Sequence, residues 1–172
     1  LTAAALQENP KLDGLAGRGN IIVIGATNRR TSLDAALLRP GRLGDLVLEI
    51  GRPKRKAARE ILAKHLPQDV PYAPNGHGND AALNREEILE TAVSRMFAPN
   101  ADNELATLQF RDGKRRSIRV ADLVNGAMLA NIASCALERA CIREVESGEA
   151  GLRLEDVAAS MEEEFDAAVR AL

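Results

Sequence analysis

A block without alternation runs from Asn20 to Ala26, in which β-branched and apolar residues follow one another. An uninterrupted run of that kind predicts a strand covered on both faces, as in a parallel sheet between helix layers. Thr31 to Leu38 changes to helical spacing: Leu33, Leu37 and Leu38 form one apolar side, and Thr31 with Asp34 predicts a capping box. Asp45 to Ile50 is a second predicted strand. Two strands and a short helix bury too little for a complete domain, so this part reads as the end of an α/β domain.

Past Gly51 to Pro53 the pattern becomes helical. Pro53 suits a first helical turn, and Ala58, Ile61, Leu62 and His65 fall on one side at helical spacing. Prolines and glycines between Leu66 and Asp80 predict a loop. A helix restarts at Asn84, expected as N-cap with Glu87 reaching back, and Ile88, Ala92, Val93 and Met96 form its buried stripe. Ala106, Leu108 and Phe110 alternate, as do Ile118 and Val120, which predicts a hairpin over about 104 to 121 with Asp112-Gly113 as a type I′ turn. Two further helices follow. The first aligns Leu129, Ile132, Ala133, Ala136 and Ala140; the second aligns Leu154, Val157, Ala158, Met161, Phe165 and Ala168 over a mostly acidic remainder. The expected organisation is an α/β portion over 1 to 51 and a mostly helical domain with one hairpin over 52 to 172.

Composition refines this picture at a few points. With 45% apolar but only 2% aromatic residues, the core must be built from aliphatic side chains and alanine. The net charge of −2 argues against nucleic-acid binding driven by bulk charge. No run of 18 apolar residues is present, so no membrane span is expected, and Leu1 to Pro10 lacks the pattern of a signal peptide. Cys135 and Cys141, six apart on a predicted helix, read as small core or surface residues of a reducing compartment, with no metal site. A cytoplasmic location is the expectation.

Candidate chemistry concentrates in "GATNRRTSLDAALLRPGR", Gly25 to Arg42. Asn28 stands at the end of a predicted buried strand, where open α/β sheets bind ligands. Its amide can donate to a phosphate oxygen and accept from a water. Arg39 and Arg42 lie too far along the chain to serve the same phosphate from the same subunit, and suit one bound by a neighbour.

The stretch "IIVIGATNRRTSLDAALLRPGRLGDLVLEIGRP" resembles the second half of the large domain of AAA ATPases, with "LDGL" (Leu12 to Leu15) similar to the helix before it. The resemblance implies a P-loop-type α/β large domain ending near Gly51, followed by an α-helical lid. It implies that Asn28 is the sensor-1 residue and that Arg39 and Arg42 are arginine fingers. "NGAML" resembles the start of the lid helix that lines the adenine pocket, which places Gly126 and Ala127 against the base. There Gly126 lets a base approach the backbone and Ala127 adds little bulk. His65 falls in the lid helix where relatives place a residue near base and ribose; the alternative is a half-buried packing histidine. His77 is expected to be a loop residue.

A hairpin inserted before the "GA" helix narrows the likeness. "RMFAPNADNELATLQFRDGKRRSIRVADLVNGAMLANI" and "SGEAGLRLEDVAASMEEEF" resemble the actinobacterial proteasome-associated ATPases, also called AAA ATPases forming ring-shaped complexes. The resemblance implies a homohexameric, ATP- and Mg²⁺-dependent unfoldase. Such a ring threads protein substrates, some tagged with a ubiquitin-like modifier, toward a 20S proteasome core. The chain carries no G-x-x-x-x-G-K-[ST] loop and no apolar run ending in Asp-Glu. It also shows no pore-loop segment and no docking motif after "AAVRAL". By itself, therefore, it is expected not to hydrolyse ATP. Two other readings stay open: a DNA-processing loader module, disfavoured because no Arg follows "NGAML" before Arg139, and a non-catalytic interaction domain that uses the hairpin.

Overall fold

The computed structural model describes residues 24–39, 45–75 and 77–170, and the chain divides into two units, Leu1–Ile50 and Gly51–Leu172. In the first unit the described residues form one short 3-10 turn, Arg30–Ser32, rather than the expected helix over 31 to 38. Asp34 does not complete a box with Thr31. Its carboxylate accepts the Ala36 N–H at 2.8 Å and its carbonyl accepts the Leu37 N–H at 3.0 Å, so it starts a turn of its own. Such local carboxylate bonds compete with helix formation. Residues 45–50 form no strand and pair with none among the described residues, and Leu48 and Ile50 are 75% and 94% exposed. A buried strand needs ladder partners and covering helices, and the described residues of this unit supply neither. The expected strand over Asn20 to Ala26 lies largely outside them.

The second unit is built from five helices and a hairpin. Helix α1 (Arg55–His65) leads to a loop, then to α2 (Ala81–Phe97). Strands β1 (Glu104–Gln109) and β2 (Arg115–Arg119) run antiparallel, followed by short α3 (Val120–Leu123), long α4 (Gly126–Ser147) and α5 (Leu154–Arg170). Helix α4 packs against α1 and α5, while α2 packs against α1, α5 and α3. The core runs through all of them: Leu62, Leu89, Val93, Leu129, Ile132, Ala136 and Val157 are fully buried in one cluster. The predicted stripes of α2 and α4 face this core. On α5, Val157 and Met161 are buried in it, and Leu154, Phe165 and Ala168 are half-buried at its margin. Ala158 is not part of the cluster, while Ser160 is buried instead.

Local starts and stops differ from expectation where polar side chains had more than one use. Pro53 precedes the helix instead of opening it, and Lys54 is the N-cap of α1. Asp80, not Asn84, caps α2; its carboxylate accepts the N–H groups of Ala82 and Leu83 at 3.1 and 3.0 Å. A cap of this kind contributes about 1 kcal/mol. Asn84 lies inside α2, fully buried, and donates to the carbonyls of Ala73 and Gly78 at 3.2 and 2.9 Å. Glu87 accepts from Asn75 rather than from the backbone of residue 84. Val120 opens α3 instead of ending β2, and is buried. The hairpin turn is not type I′, because no non-glycine residue has positive φ. Gly113 N–H donates to Phe110 O at 3.0 Å, Phe110 N–H donates to Lys114 O at 2.8 Å, and Gly113 has φ 84°. This is a three-residue connection closed by a glycine bulge.

The loop between α1 and α2 is pinned to the turn before α5. Ala73 N–H donates to Leu152 O at 3.0 Å and Leu152 N–H to Pro71 O at 2.8 Å. Gly151 makes this approach feasible: its φ is 94°, and a Cβ built there would stand 2.6 Å from the Ala73 nitrogen.

Candidate functional site

Helix α4 begins where three constraints meet. Asn125 takes an extended conformation, and its side-chain oxygen accepts the Met128 N–H at 3.0 Å. Val124 and Met128 on either side are buried, which fixes the first turn on the core. Between them Gly126 and Ala127 are exposed. As at any helix start, their N–H groups have no intrahelical acceptor. Nothing lies within 4 Å of a Cβ built on Gly126, so the backbone there is open to a flat group from outside. At the far end Gly148, with φ 73°, stops the helix and donates its N–H to Glu144 O at 2.9 Å.

His65 is the last residue of α1 and is exposed; the next residue, Leu66, takes the fully buried position instead. It is therefore not the half-buried packing histidine that its spacing allowed. His77 sits in the loop, with its Nε2 3.7 Å from the Glu87 carboxylate. In the first unit Asn28 and Arg39 are both exposed. The neighbouring Thr27 hydroxyl accepts the Arg29 N–H at 3.0 Å. Arg42 lies outside the described residues. Cys135 is half-buried and Cys141 exposed, and both are free thiols. Among the described residues no three His, Cys, Asp or Glu side chains converge as metal ligands, and no helix is long and apolar enough to cross a membrane.

The polar groups that hold these elements were mostly not legible as such in the sequence. Arg85, almost fully buried, donates from Nε to Leu66 O at 2.7 Å and from Nη2 to Ala63 O at 2.8 Å. It thus satisfies the open carbonyls at the end of α1, beside His65. Asn103 does the same for α2, donating to the carbonyls of Arg95 and Ala98 at 2.6 and 2.7 Å. Asp156, the third residue of α5, accepts the Arg153 N–H at 2.9 Å and pairs with Arg143, which also donates to Gly151 O. That network ties α4 to the start of α5. Tyr72 donates its hydroxyl to Pro67 O at 2.9 Å, and burial pushes its pKa up. The one available signal was spacing: Leu154-Glu155-Asp156 places an acid in the first turn, where it can reach back to the preceding N–H.

Comparison with known proteins bears on this frame directly. A family described as "ARC, AAA+ ATPase lid domain" matches residues 53–169, from just before α1 to the end of α5. An AAA ATPase forming ring-shaped complexes from Corynebacterium kroppenstedtii is 39% identical over 165 residues, covering 90% of this chain and 28% of the relative. A proteasome-associated ATPase from Acidimicrobium ferrooxidans is 37% identical over 159 residues, covering 90% and 27%. A ring-forming AAA ATPase from Kocuria rhizophila is 35% identical over 157 residues with the same coverage. The chain thus spans about a quarter of the length of these relatives. With the helices, the hairpin insertion and the open start of α4 all inside the matched region, the chain belongs to the ARC AAA+ ATPase lid domain family.

Proposed function

We propose that this chain supplies the nucleotide lid and the trans-acting residues of a ring-forming AAA ATPase that unfolds proteins for proteasomal degradation. The observation that carries the reading is the exposed Gly126–Ala127 pair at the capped start of α4, inside a region that matches an AAA+ ATPase lid. Adenine would lie against the backbone of Gly126, with Ala127 beside it and His65 toward the base and ribose. ATP with Mg²⁺ supplies the phosphoanhydride that is cleaved. Both would be held mainly by motifs that this chain does not carry.

Within that reading Asn28 orients the attacking water in its own subunit's site. Arg39 and Arg42 stabilise developing charge on the phosphoryl group bound by the neighbour. The site is then shared between subunits, which accounts for a homohexameric ring. Lid closure on ATP and its relaxation after hydrolysis would convert the reaction into movement between subunits. Protein substrates, some carrying a ubiquitin-like tag, and a 20S proteasome core are the partners that the relatives' names and the resemblance suggest. The compartment is the cytoplasm.

In the full-length protein, Arg42→Ala abolishes ATP turnover while leaving ATP binding intact. Turnover at the wild-type rate would remove the finger assignment. The 172-residue chain alone shows no metal-dependent hydrolysis; measurable turnover by it would contradict the division of labour.

A further inference from the structure

Charge in the lid is distributed unevenly between paired and unpaired cations. Four arginines of the helical layers sit on carboxylates: Arg59 on Glu86, Arg95 on Glu162, Arg139 on Glu163 and Arg143 on Asp156. Before α1 and on the hairpin the pairing is mixed: Lys114 at the hairpin turn sits 2.9 Å from Asp112, while other cations there have no carboxylate among the described residues. Arg52, Lys54, Arg55 and Arg116 line one open recess of about 500 Å³, with Pro53 and Phe97 as its apolar part. Lys54 and Arg116 have no carboxylate partner among the described residues. Arg52 donates to the carbonyl of Asp122, which holds its guanidinium in place without neutralising it. Arg55 is paired with Glu90. Asp122, the carboxylate in the lining, accepts the Arg119 N–H at 3.0 Å through Oδ2.

The hairpin register extends the recess. Arg116 pairs directly with Leu108, so the two share one face of the ribbon. Leu108 and Phe110, two residues apart in sequence, are 46% and 48% exposed. A cationic recess therefore continues into an apolar strip. A ligand that matches both must bring carboxylates and apolar side chains together. A phosphate polymer satisfies the cations and leaves the strip wet. Nucleic acid is further disfavoured by the chain's net charge of −2.

We propose that the recess between the β-hairpin and the segment before α1 docks an acidic peptide segment of a partner protein, its carboxylates on Lys54, Arg52 and Arg116 and an apolar side chain on Leu108 and Phe110. Neither Gly126 nor Ala127 lines this recess, so the proposal stands whether or not the nucleotide reading does. Fluorescence anisotropy of a labelled peptide of glutamates interspersed with leucines, titrated with the 172-residue chain, tests it. The expected result is saturable binding that weakens by about tenfold in the Lys54→Glu, Arg116→Glu double variant and as salt rises from about 50 to about 300 mM. Leu108→Ser weakens it by about threefold, and a polyglutamate without leucines binds less tightly than the mixed peptide. Arg170→Glu, at the far end of α5, leaves binding unchanged. Thermal unfolding checks that each variant is folded, and Lys54→Gln replaces the double variant if that one is not. The proposal is overturned if the peptide does not bind, if the charge variants bind it as well as wild type, or if inorganic polyphosphate or oligothymidylate competes more strongly than unlabelled peptide.

Discussion

The helical layers and the hairpin belong to the same unit, yet their residues are held in different ways. In α2 and α4 the inward stripes are fully buried and the helix ends are closed by side chains: Asp80 at the start of α2, Asn103 at its end, Asn125 and Gly148 on α4. In the hairpin most positions are exposed, the ladder is short, and the register slips between Glu104 and Ala106. Two strands alone are marginal in water. The helical layers hold the core of this unit, while the hairpin mainly presents side chains to solvent. A stable frame can carry an exposed cationic and apolar ribbon because it does not depend on that ribbon for its core.

The contrast predicts a gradient of mutational effects. Leu129→Ala, at the centre of the buried cluster, should destabilise the chain by about 2–5 kcal/mol in urea unfolding. A loss below about 1 kcal/mol would mean that α4 is not the core element described. Arg85→Ala, which leaves the carbonyls of Ala63 and Leu66 without their donor, should cost about 1–3 kcal/mol by the same measurement. On the hairpin, Leu108→Ser should change stability by less than about 0.5 kcal/mol. A large loss there would erase the distinction between frame and ribbon.

The smallest effect concerns pH. The hydrogen bond from Arg55 holds the Glu90 carboxyl below its ordinary value of 4.5. Because the folded value is the lower one, the pair contributes stability above about pH 4.5, and that contribution is lost as pH falls through the folded value. NMR titration should place the Glu90 midpoint below 4.5 in the wild type and closer to 4.5 in Arg55→Ala.

How much of this was legible in the sequence follows from what each residue had to choose between. The stripe of α4 was legible because Leu129, Ile132, Ala133, Ala136 and Ala140 have one plausible use, and all five are buried. The start of α2 was not. Asn84 and Glu87 have the spacing of a cap, while Asp80 four residues earlier performs the capping and leaves Asn84 to bind the loop. Val120 continued an alternating pattern, and only the turn of the chain into α3 shows it to be a core residue. His65 fell on an apolar face by period, but the helix ends there and Leu66 enters the core. For the candidate site, Gly126 and Ala127 were legible as a motif, and the structure adds that the position is capped, exposed and unobstructed. Arg85 was not legible, since only tertiary packing brings carbonyls to it; for Asp156 the first-turn spacing was visible but its pairing with Arg143 was not.

Adenine binding at the opening before Gly126, as proposed, makes a prediction for a side chain placed there. The decisive measurement is titration of a fluorescent ATP analogue into the full-length protein carrying Gly126→Val. Because nothing surrounds a Cβ at that position, the variant should fold with an unfolding midpoint close to wild type. Its nucleotide affinity should nevertheless fall by about tenfold or more, the result of placing a branched side chain where the base must approach the backbone. Wild-type affinity in the folded variant would contradict the claim.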